Sequence, residues 1–122
     1  MSQYRRGADF ERRVRDALEA DGYEVIRSAG SKTKVDLLGF KVDQLLLIQC
    51  KRTDGYIPPD DRLALLALAQ MIQPRPYIGT PTPDALAVIA YQPKPRKPIA
   101  YRRLTGPGPK DWQPWTPDEV AP

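Results

Sequence analysis

The sequence predicts an α/β fold, a mixed β-sheet of about five strands flanked by helices, on three observations. An amphipathic helix opens the chain, two short apolar runs joined by a tight turn make a hairpin at its centre, and a second apolar helix separates that hairpin from two further strand-like runs. With 122 residues the chain supports one core. The expected division is a domain over 1–104 and a Pro- and Trp-containing C-terminal tail over 105–122.

The first helix rests on Phe10, Val14, Ala17 and Leu18, which fall on one stripe of a helix of about 14 residues that Gly22 ends after Asp21. Arg5, Arg6, Arg12, Arg13 and Arg15 occupy the other face. Glu11 borders the stripe, and Arg15 at i+4 is its expected partner. Tyr23 to Ser28 alternates as a first strand, and a small basic loop from Ala29 to Lys34 leads into Val35. Arg27, Ser31, Lys32 and Lys34 offer charge and hydroxyl donors to a phosphate.

The hairpin, Val35 to Phe40 and Leu45 to Ile48 around Lys41-Val42-Asp43-Gln44, carries polar groups at the end away from its turn. Gln49 and Lys51 leave one face of the strand and Cys50 the other. Asp36 becomes their neighbour across the hairpin. A carboxylate, an amide oxygen and an ammonium at one spot can hold a divalent cation beside a phosphate: Asp36 as metal ligand, Gln49 as neutral oxygen, Lys51 facing water or phosphate charge.

After Lys51, Asp54-Gly55 and Pro58-Pro59 take the chain out of the sheet. Asp60 or Asp61 is the expected N-cap of a helix over Arg62 to Ile72, apolar around most of its circumference. One face can pack on the sheet and the other is a candidate homodimer seam, with full burial as the competing explanation. Pro74 to Pro83 reads as extended loop, and Ala85 to Tyr91 and Ile99 to Leu104 as the last strands. From Thr105 onward no regular structure is expected, although Trp112 and Trp115 can anchor the tail.

Composition narrows the chemistry. Nineteen Lys and Arg against 15 Asp and Glu give +4, which favours a polyanionic partner. No apolar run is long enough to cross a bilayer and the N-terminus lacks a signal-peptide core, so an intracellular, cytoplasmic protein is expected. The lone Cys50 forms no internal disulfide, and without histidine the usual zinc sets and histidine acid–base chemistry are excluded. A catalyst built from this chain would use carboxylates, lysine, hydroxyls and Mg²⁺.

The order of helix with Glu11, strand, Gly30-Ser31 loop, Asp36, hairpin and Gln49-x-Lys51 resembles the restriction-endonuclease-like superfamily, whose motif is D-x(n)-[DE]-x-K. Gly7-x-x-x-Glu11-Arg12, followed by Gly22-Tyr23-x-Val25-x-Arg27-Ser28-Ala29-Gly30-Ser31 ahead of Asp36, is similar to the archaeal-type Holliday junction resolvases over about residues 4 to 72. That resemblance implies an active site of Glu11, Asp36, Gln49 and Lys51, with the backbone carbonyl of Cys50 as a further metal ligand. It also implies roles in junction binding or catalysis for Arg12, Arg27 and Ser31, and a homodimer placing two sites on a four-way junction. Val35 stands where the superfamily often has proline. Gln49 replaces the usual Glu or Asp and removes a negative charge from the metal site.

The expectation is therefore a Mg²⁺-dependent endonuclease for branched DNA, with Mn²⁺ as a substitute metal. Arg5, Arg6, Arg12, Arg27, Lys32 and Lys34 would grip phosphates; about six contacts imply a slope near −5 for log affinity against log salt. The alternatives are a non-catalytic DNA-binding module with a decayed site, or a nuclease for duplex, flap or mismatched DNA.

Overall fold

The computed structural model describes residues 3–28, 35–42, 44–51, 55–72, 84–94 and 97–117, the side chains of residues 3–6 and 84 excepted. Ser31, Lys32, Lys34 and the segment from Pro74 to Pro83 lie outside the described residues, as do the side chains of Arg5 and Arg6.

The chain runs α1 (Gln3–Ala20), β1 (Glu24–Arg27), β2 (Leu37–Lys41), β3 (Gln44–Lys51), α2 (Pro59–Met71), β4 (Asp84–Tyr91), β5 (Ala100–Leu104) and β6 (Trp112–Trp115). These strands form one sheet in sequence order. Neighbours are antiparallel except β3 and β4, which run parallel with α2 in the crossover between them.

Phe10, Val14 and Leu18 of α1 are buried with Leu37, Leu46, Ile48, Leu86 and Val88, so the stripe read from the sequence docks on one sheet face. Burying each of the three contributes about 1.5 to 3 kcal/mol. The helix stops by a Schellman motif: the Tyr23 N–H donates to the Leu18 carbonyl and the Gly22 N–H to that of Glu19, both at 3.0 Å. Gly22 takes φ +94°, a conformation that a side chain disfavours. Tyr23 then packs in the same cluster as Leu18.

The second face is covered more thinly. Leu65 of α2 is fully buried against Val35, Leu47, Ala87, Ile89 and Leu104, with Leu66, Leu68 and Ala69 partly buried around it. Leu63 and Met71 point outward, 51% and 79% exposed, so α2 is not the fully buried helix that the sequence also allowed. It begins at Pro59, with Pro58 as N-cap and no side-chain cap, rather than at an Asp60 or Asp61 cap. Proline supplies the preset φ of a first helical position, and the two aspartates complement the helix dipole from the first turn.

The tail departs furthest from expectation. A sixth strand, Trp112–Trp115, pairs with β5 and carries the sheet past the expected boundary at 104. Trp115 is 4% exposed and meets the Tyr101 ring edge-on at 5.6 Å. The connecting turn is closed by Asp111, whose Oδ2 accepts the Gly108 N–H at 2.9 Å while its own carbonyl accepts the Thr105 N–H. Pro114 is tolerated because β6 is an edge strand.

Candidate active site

Asp36 sits where β2 begins, at the end of the hairpin remote from its turn. Its N–H donates to the Ile48 carbonyl at 2.8 Å, although the register sets Ile48 opposite Leu37. Two successive residues thus address one, the count of a β-bulge, which turns the Asp36 side chain out of the regular ladder. The carboxylate replaces a missing ladder acceptor: its Oδ2 takes the Cys50 N–H at 2.8 Å. In a strand the N–H and C=O of one residue leave the same edge, so the Cys50 carbonyl also faces Asp36.

Glu11 reaches this edge from α1. Its Oε2 accepts from Arg27 Nε at 3.2 Å, which ties α1 to β1. The expected Glu11–Arg15 pair does not form; Arg15 lies 3.7 Å from Glu19 and 3.8 Å from Asp16 instead. Glu11, Arg12, Arg15 and Arg27 line a small cleft with Leu37 at its floor. Arg12 is exposed beside Asp9 at 3.6 Å, turned to solvent.

Burial raises the pKa of Glu11 above the ordinary carboxylate value and the charge of Asp36 raises it further, with Arg27 opposing. Burial also raises the pKa of Asp36, against the Cys50 N–H and the charges of Lys51 and Arg27. The charge of Asp36 thus acts on Glu11, and for both carboxylates burial outweighs the positive groups beside them. The Cys50 thiol is pushed up by burial and by both carboxylates, so it stays protonated and offers no thiolate.

Gln49 lies on β3 between Ile48 and Cys50 and is 8% exposed, with its Oε1 lacking any hydrogen-bond partner among the described residues. An unpaired buried acceptor is costly, and a cation would satisfy it. Alternation sets Gln49 and Lys51 on the α2 side of the sheet, with Lys51 close enough to Asp36 to act on its charge. Among the described residues no three His, Cys, Asp or Glu side chains are grouped so as to hold a metal ion. Asp36, Glu11, the Gln49 amide and the Cys50 carbonyl are all oxygen donors, the kind that a hard divalent cation takes. The Glu11–Arg27 bond and the Cys50 amide on Asp36 were not foreseen, since each joins groups whose sequence spacing carries no signal.

Helix first, then a mixed sheet with an acidic edge where the hairpin strands part beside a lysine: this is the restriction-endonuclease-like class. A family model described as archaeal Holliday junction resolvase (Hjc) matches residues 2–94, and the chain belongs to that family. Crossover junction endodeoxyribonuclease Hjc of Methanocaldococcus jannaschii is 38% identical over 80 residues, which cover 63% of this chain and 59% of that protein, less than two thirds of its length. The 1.6 Å resolution structure of Archaeoglobus fulgidus Hjc, a Holliday junction resolvase from an archaeal hyperthermophile, matches the fold with a TM-score of 0.61. That match is at 22% identity and covers 78% of this chain and 74% of that one.

Proposed function

We propose that this chain is a Mg²⁺-dependent endonuclease that resolves four-way DNA junctions by cutting opposing strands. The observation that carries the reading is the placement of Asp36, bound by the Cys50 N–H and within reach of the Lys51 charge, beside Gln49, whose buried amide oxygen has no partner among the described residues, with the charge of Asp36 also felt by Glu11. Family membership and the crossover-junction name of the Methanocaldococcus relative support the substrate.

Asp36, the Cys50 carbonyl, the Gln49 amide and Glu11 would hold Mg²⁺, or Mn²⁺ in its place. Bound there, the metal would lower the pKa of a water and polarise the scissile phosphate. Asp36 is held in position by the Cys50 N–H, and Arg27 keeps Glu11 turned to the same edge. Lys51 stabilises the charge that develops on the phosphate oxygens. Arg12 and Arg27, together with Arg5, Arg6, Ser31, Lys32 and Lys34, grip backbone phosphates.

Two active sites require two copies, and the outward residues Leu63, Met71 and Ile72 of the α2 region supply an apolar surface for pairing. Sedimentation should give a dimer that Leu63→Asp separates. Among the described residues no helix is long and apolar enough to cross a membrane. Gln49 favours one competing reading, a DNA-binding module with a decayed site. Incubation with a synthetic junction in Mg²⁺ or Mn²⁺ separates the two: paired nicks support the nuclease, and binding without nicks in either metal supports the module.

A further inference from the structure

On the sheet face that α2 covers, a second concentration of charge has the opposite sign. Arg62 of α2 is 5% exposed, and its Nε has no hydrogen-bond partner among the described residues. The Arg102 guanidinium on β5 lies between two rings, 4.5 Å from the centre of Tyr91 and 4.1 Å from that of Trp112. Its Nε is likewise buried and unpaired. Both arginines line one recess with Tyr56 and Trp112, and among the described residues no carboxylate lines it. Asp60 and Asp61 precede Arg62 in sequence without entering that lining. The Gly55 backbone, at φ +72°, closes over the recess so tightly that a Cβ would stand 3.1 Å from Tyr91 and 3.2 Å from Arg102 Nη1.

Arg62 is buried and Arg102 half-buried at one recess, and an anion held there would satisfy both unpaired Nε–H groups. Stacking on Tyr91 and Trp112 fixes the plane of the Arg102 fork but supplies no acceptor for its Nε–H. A tetrahedral phosphate matches two such forks better than any neutral group does. Position indicates its source. Gln49, Ile89 and Arg102 stand in one row across β3, β4 and β5, with Lys51 and Tyr91 paired two residues further along, where the Arg102 guanidinium reaches the Tyr91 ring. At about 4.8 Å per strand, Arg102 is roughly 10 Å from the strand that carries Lys51. That distance is about three nucleotides of a stacked strand.

We propose that Arg62 and Arg102 hold a backbone phosphate of the DNA strand that passes through the active site, a few nucleotides from the scissile bond. The proposal rests on the nuclease reading of the acidic edge. It adds a contact formed partly by β5 and β6, which lie past residue 94, where the family match ends.

The test uses the full chain and a synthetic four-way junction, with binding measured across a salt series without divalent metal so that nothing is cut. Arg102→Gln should weaken binding about tenfold and reduce the steepness of the log–log salt slope by about 1, with Arg62→Gln acting the same way. Arg102→Lys should restore the slope while recovering only part of the affinity, because lysine lacks the fork. In a parallel titration, inorganic phosphate should change the tryptophan fluorescence of the unaltered chain saturably. Chloride at equal ionic strength should not, and Arg102→Gln should abolish the response. An unchanged slope in both glutamine variants, with lowered melting temperatures, would mean that the arginines only pack, and the proposal would fall. A phosphate response with unchanged DNA slopes would assign the recess to free phosphate and overturn the DNA contact. Should the unaltered chain bind junctions without cutting them, the nuclease reading fails, while the slope difference still decides the recess.

Discussion

Two places in this molecule gather partly buried charged groups, and they differ in how they are built. At the acidic edge, Glu11 and Asp36 come from separate elements, half-buried, each with a positive neighbour, and burial still raises both pKa values. Further along the face that α2 covers, Arg62 and Arg102 lie against aromatic rings, and among the described residues the lining around them includes no carboxylate. On the proposed reading the first would take a cation and the second an anion. Hydrophobic packing explains neither, since a core of this size is stabilised by burying apolar groups rather than like charges. An excess of buried charge is a sign of a ligand that completes it.

The largest effect is expected from Asp36→Asn. Asparagine keeps an oxygen for the Cys50 N–H but removes the charge, so junction cutting should fall about a thousandfold or more. The melting temperature should meanwhile rise by about 1 to 4 °C at neutral pH. Stability lost together with activity would show that Asp36 serves the fold. Glu11→Gln should act in the same direction but more weakly, slowing cutting roughly 10- to 100-fold, as loss of a supporting ligand does.

The pH dependence sharpens the same point. A carboxylate whose folded pKa lies above its unfolded value binds its proton more tightly in the native state. Its stabilising contribution is present below the unfolded pKa and is lost as pH rises through the folded one. The melting-temperature advantage of Asp36→Asn over the unaltered chain should therefore be greatest at neutral pH. It should shrink as pH falls towards the ordinary value of 3.8 for aspartate. An advantage that grew on acidification would reverse the sign of the argument. The smallest effect is expected from Gln49→Glu, which should lower the Mg²⁺ concentration for half-maximal cutting several-fold, because an anionic oxygen binds a hard cation better. A requirement that stays the same or rises would remove Gln49 from the metal site.

What the sequence revealed and what it concealed divide along physical lines. The α1 stripe, its glycine stop and the hairpin were legible because periodicity and turn chemistry are local. Asp36 and Lys51 followed from the hairpin, since two strands joined by a short turn must bring their far ends together. Strand β6 was hidden: its two tryptophans are three apart, which gives no alternation, and a proline stands between them. Burial of Trp115 against Tyr101 holds it in the sheet, a contact between residues of separate strands. The same holds for Arg27 on Glu11, 16 positions apart, and for Arg62 and Arg102 at one recess. The spacing of these residues says nothing; only the sheet order makes them neighbours.

Whether the acidic edge cleaves phosphodiesters is decided by strand cutting of a synthetic four-way junction in Mg²⁺ or Mn²⁺ beside the Asp36→Asn variant. Nicks in two opposing strands that depend on metal and disappear with Asp36→Asn are expected. Tight binding with no strand cut in either metal, or cutting that Asp36→Asn leaves intact, would contradict the nuclease reading.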